Sequence, residues 1–80
     1  MIEFYATINA SNDDERQEFT VDVMKNNMMV RVETPDDGSY HYAIQGTWSG
    51  YNYLADIMQN QGNTKQEGTY QITSLEHFEE

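Results

Sequence analysis

The chain has 80 residues, 14 of them acidic and 4 basic, for a formal net charge of −10. An apolar share of 38% with no cysteine allows one small core, and excludes disulfides, zinc–thiolate centres and a cysteine nucleophile. No apolar run approaches the ~18 residues of a membrane span and no basic-then-apolar leader opens the sequence, so a cytoplasmic protein of one domain, residues 1–80, is expected.

Residues 2–8 alternate Ile2, Phe4, Ala6 and Ile8 with Glu3, Tyr5 and Thr7, the period of a half-buried strand. Residues 9–17 are polar and read as a loop. Phe19, Val21 and Val23 then alternate with Glu18, Thr20, Asp22 and Met24, which predicts a second strand. Asn26-Asn27 tolerates positive φ and predicts a two-residue hairpin turn, with Met24 facing Met29, Val23 facing Val30 and Thr20 facing Glu33. Pro35-Asp36-Asp37-Gly38 has the chemistry of a tight turn and leads into a strand over 39–45. Tyr40, Tyr42 and Ile44 take one face of it, and His41, Ala43 and Gln45 the other.

The period then changes. Thr47 or Ser49 can cap a helix over about 50–60, along which Tyr51, Leu54, Ala55 and Met58 form an apolar stripe with Trp48 just before it; Gly62 stands where a C-terminal glycine belongs. Residues 68–73 read as a short last strand, and 75–80 as an acidic tail free to fray. The expected architecture is α+β, a mostly antiparallel sheet of four to five strands (ββββαβ) with one helix packed on one face.

Charge settles the first functional question. Nucleic-acid binding draws its affinity from Lys and Arg on phosphates, and the four cations here, Arg16, Lys25, Arg31 and Lys65, are scattered and outnumbered. Direct binding of nucleic acid or of an anionic membrane is disfavoured, and a basic protein surface is the favoured partner.

Catalytic and metal signatures are sparse. Adjacent pairs such as Asp13-Asp14 and Asp36-Asp37 do not match a calcium loop, His41 and His77 lie in different elements, and the glycines are isolated. Read on one strand, Glu18 and Asp22 stand about 13 Å apart by strand rise, too far for a glycosidase pair. The expectation is a protein that is not an enzyme and uses neither metal nor cofactor.

What the core does not need is then the candidate site. Asp13, Asp14, Glu15, Glu18 and Asp22 form one acidic patch, and Glu33, Asp36 and Asp37 a second, which the expected register joins at one end of the sheet. Tyr5, Met24, Met29 and Tyr53 fall opposite the expected core and would supply apolar contact. Glu76, Glu79 and Glu80 form a third, solvated patch, while Tyr42, Trp48 and Tyr51 are assigned to the core.

In size, acidity, lack of cysteine and mixed fold the whole chain resembles small phage-encoded inhibitors of bacterial defence, notably anti-CRISPR proteins and other nucleic-acid mimics. The resemblance rests on no diagnostic motif and carries over no residue. It implies a non-enzymatic inhibitor, acting in a bacterial host, that blocks target-DNA binding by a CRISPR effector with its carboxylates in place of phosphates; separately, an exposed edge strand is open to pairing two copies, so a monomer or a homodimer is expected. An immunity or antitoxin protein capping a basic nuclease follows the same charge logic, and a small-molecule-binding anti-defence protein is the alternative of a different class.

Overall fold

The alternation at the start of the chain builds strand β1 (Ile2–Asn9) in the computed structural model, which describes residues 1–77. Helix α1 (Asp13–Lys25), strands β2 (Met29–Asp36) and β3 (Ser39–Gly46), helix α2 (Trp48–Gln61) and strand β4 (Gln71–His77) follow. The fold is α+β, but the element order is βαββαβ, with two helices where the sequence suggested one.

The difference lies in residues 13–25, which are helical. Phe19 and Val23 are four residues apart, a spacing that fits one helix face as well as it fits alternate positions of a strand. Val21, expected to point inward, stands 46% exposed, while Phe19 and Val23 are fully buried. The helix start was written in Asn12-x-x-Glu15. The Asn12 side chain accepts from the Glu15 backbone N–H at 3.0 Å, and the Glu15 carboxylate reaches back to the Ser11 N–H at 2.8 Å, close to a capping box.

Asn26-Asn27 ends this helix instead of turning a hairpin. Asn27 takes φ 60°, its N–H bonds to the Met24 carbonyl, and the Met28 N–H bonds to the Val23 carbonyl. Those two bonds are a Schellman motif, completed by the buried pair Val23 and Met28. Tolerance of positive φ at Asn27 serves a helix stop here rather than a hairpin turn. The expected pairing of residues 20–24 with 29–33 therefore does not exist.

The true hairpin is one turn later. Asp36 pairs with Ser39, and Asp37 and Gly38 both have positive φ, as a two-residue type I′ loop demands. Pro35 sits within β2 opposite Tyr40, tolerated because β2 is an edge strand. The sheet order is β2-β3-β1-β4, antiparallel throughout. β1 and β2 consequently run parallel with β3 between them, and β3 and β4 parallel with β1 between them, two interlocked split β-α-β units.

Both helices cover the same face, because one core unites Phe4, Ala6, Ile8, Tyr42, Ile44 and Ile72 with Phe19, Val23 and Leu54. Phe19 packs on Tyr42 and Tyr70 with ring centroids 5.0 and 5.2 Å apart, and Tyr51 meets Phe4 edge-on at 5.2 Å. Burying each such side chain contributes about 1.5–3 kcal/mol. Trp48 departs from its core assignment: it is 48% exposed and rests edge-on against Tyr51 and His77.

Thr47 caps α2, its hydroxyl accepting from the Gly50 N–H at 3.2 Å, and Gly62 closes it with φ 68°. The last strand begins three residues later than expected. Gln61 sets that start, its amide donating to the Tyr70 carbonyl and accepting from the Ile72 N–H, each at 2.8 Å. Residues 75–77 pair with β1; Glu79 and Glu80 of the expected tail lie outside the described residues.

Candidate functional site

The topology puts the start of α1, the β2–β3 hairpin tip and the start of β4 at one end of the sheet, since Asn9 pairs with both Ser39 and Gln71. Asp13, Asp14 and Glu15 form the first turn of α1, where the positive end of the helix dipole favours carboxylates. Asp36 and Asp37 stand at the hairpin tip.

The two acidic patches meet through a cation rather than through strand pairing. Arg16 Nη1 lies 2.8 Å from Glu33, its Nε lies 3.5 Å from Asp13, and its guanidinium covers the Tyr40 ring at 5.8 Å. Beneath it the Tyr42 hydroxyl is buried beside Arg16 and Glu33, and burial above all pushes its pKa up to about 12.

Glu15 is not a surface acid. It is 6% exposed, bonds to Lys65 at 2.7 Å, and so latches the loop between α2 and β4 onto the start of α1. The bond from Lys65, then that from the Ser11 N–H, hold its carboxyl below the ordinary range. Arg16 and Lys65 are thus both engaged within the fold. The remaining cations, Lys25 in the last turn of α1 and Arg31 near the start of β2, belong to the opposite end.

Glu18 and Asp22 are one helical turn apart on α1, about 6 Å rather than the strand separation. With Asp14 they form a ridge at four-residue spacing. Asp22 accepts from the Tyr70 hydroxyl at 2.6 Å, and burial, reinforced by that bond, raises the Tyr70 pKa. Along this ridge Asp14 and Glu18 are exposed and Asp22 is half-buried.

The apolar candidates divide between faces. Met24 is exposed on α1 and Tyr53 on α2. Tyr5 and Met29 lie on the other side of the sheet, Tyr5 in register with Ala43 and Met29 with Gln45. Val32, 56% exposed and also paired with Ala43, joins them there. Sequence reasoning missed Val32, because the false hairpin had turned it inward.

One constellation has the form of a catalytic relay. His41 Nδ1 is 3.0 Å from the Thr7 hydroxyl, and Nε2 is 3.4 Å from Asp36. The imidazole is about half exposed, and Thr7 lies on an interior strand whose backbone is paired on both sides, so its neighbouring N–H groups face β3 and β4 rather than a substrate oxyanion. The contacts orient the ring on the sheet surface. A separate groove of about 440 Å³ between the end of α2 and β4 is lined by uncharged groups, among them Gln59, Asn63 and Gln71. Among the described residues no group of three His, Asp or Glu side chains is placed to hold a metal ion, and no helix is long and apolar enough to cross a membrane.

Comparison with protein-family models, with curated proteins and with solved structures returns no match.

Proposed function

We propose that the protein is a non-enzymatic inhibitor that occupies the basic nucleic-acid-binding surface of another protein, its carboxylates standing in for phosphates. The most concrete form is an anti-CRISPR protein that blocks target-DNA binding. The supporting observation is the distribution of charge at one end of the molecule. Asp13, Asp14, Glu33, Asp36 and Asp37 converge there, and Glu18 and Asp22 continue the acidity along α1. The cations present, Arg16 and Lys65, are bonded to carboxylates of the same chain and do not neutralise the rest. Such a field speeds encounter with a basic surface and fixes orientation on it.

The test is displacement of labelled target DNA from purified CRISPR effectors, followed by fluorescence anisotropy. The chain should release DNA, and Asp36→Lys with Asp37→Lys should weaken release about tenfold, equivalent to about 1.4 kcal/mol. Asp56→Lys, exposed on α2 and outside that acidic set, should change it little. Failure to release DNA from any effector, or equal loss with Asp56→Lys, would overturn the reading.

A further inference from the structure

The sheet face opposite the helices carries a second surface, independent of the acidic end. Across its centre Val32 on β2, Ala43 on β3, Tyr5 on β1 and Glu76 on β4 stand in one register row. Ala43 is the short side chain in that row, and its small size leaves a depression of about 460 Å³ between Val32 and Tyr5. Glu3 lines one end of it, two residues from Tyr5 on the same strand face, with its carboxylate fixed by the Tyr5 hydroxyl at 3.1 Å. Thr7, Thr34 and His41 line the other end.

An apolar floor with a carboxylate at the rim fits a side chain that is aliphatic along its stem and cationic at its head. We infer that this depression receives a lysine or arginine from an extended segment of a partner protein, its stem on Ala43 and Val32 and its charged head at Glu3. The charge of the chain selects that occupant over a second copy. Two copies placed face to face would each bring a net −10 and oppose Glu3 and Glu76 to their equivalents, whereas a cationic segment is drawn to the same field. An arginine head would gain further from the planar geometry with which guanidinium meets carboxylate.

The probe is an octapeptide alternating Leu and Lys, with an alternating Leu–Glu peptide as its counterpart, titrated into labelled protein and followed by NMR. Shifts should centre on Val32, Ala43 and Met29 with the Leu–Lys peptide and be absent with Leu–Glu. Ala43→Leu, which fills the depression from a partly exposed position, should weaken binding about tenfold, and Glu3→Gln several-fold. Asp13→Lys with Asp14→Lys, in the first turn of α1 on the other side of the sheet, should leave peptide binding in place, so this inference can fail or stand apart from the acidic-end reading. Equal binding of both peptides, shifts confined to α1, unchanged binding by Ala43→Leu, or self-association through this face in sedimentation velocity would each overturn it.

Discussion

Glu15 shows how far one residue's role depends on what folds around it. In the sequence it is the third of three consecutive acids and an obvious member of a surface patch. In the fold it receives Lys65, reaches back to Ser11 and tethers a loop to a helix start. Its carboxyl titrates below its ordinary value, so the unfolded chain takes up the proton first as pH falls. The stability that Glu15 contributes is therefore complete above about pH 4.5 and is lost as pH drops through the lowered folded value. Glu15→Gln should lower Tm clearly at pH 7, and the gap to the unsubstituted protein should narrow toward pH 3 in thermal melts followed by circular dichroism. A gap that stays constant with pH would mean that the amide loses packing rather than the ion pair. Lys65→Met should show the same convergence.

At the scale of elements, α1 is the part the sequence misled about. Phe19 and Val23 satisfy both periods, and β-branched Val21 and Val23 favour a strand on propensity; the caps at Asn12 and Asn27 and the demand for a crossover between parallel β1 and β2 decide for the helix. Substitution separates the two readings. Val21→Lys, on the outer face, should change stability by no more than about 0.5 kcal/mol in urea unfolding. Val23→Lys, which buries an unpaired charge in the core, should cost several times that or abolish folding. Equal effects would restore the strand.

The junction that follows α1 makes a second prediction. Met28 lies against Gly46 and Gly50, where an added Cβ would come within 2.5 Å of its Cγ and Sδ respectively. Gly46→Ala should destabilise by about 1–3 kcal/mol through overpacking, and by less in a Met28→Ala background. An unchanged cost in that background would place the clash elsewhere. The two glycines stand four positions apart in sequence, but nothing local announces that a methionine from another connection fills the slot between them.

For the whole molecule, charge is the controlling quantity. The principal extents are 34 × 24 × 21 Å, comparable with the screening length of roughly 30 Å at about 0.01 M salt and well above the roughly 8 Å at about 0.15 M. At low salt every carboxylate acts on every other, and the compact state bears that repulsion more than the unfolded chain. Tm should therefore rise as sodium chloride is raised between those concentrations. A fall would mean that screening of the Arg16 and Lys65 pairs outweighs relief of the general repulsion.

The sequence by itself determined the charge, the class of fold, both faces of β1 and β3, a tight turn ending at Gly38, though with Pro35 in the turn rather than in β2, and the stripe and caps of α2. Each is carried by a short-range pattern: alternation, a fixed spacing or a residue suited to positive φ. The tertiary structure alone decided that residues 13–25 are a helix, that the strands run β2-β3-β1-β4, and that Glu15 is an internal latch. It also decided that Arg16 joins Asp13 to Glu33 and that Val32 and Tyr5 flank Ala43 on the sheet face opposite the helices. Those outcomes depend on contacts between residues far apart in the chain, where a local pattern compatible with two periods is resolved only by which arrangement buries Phe19 and Val23 and leaves Val21 in water.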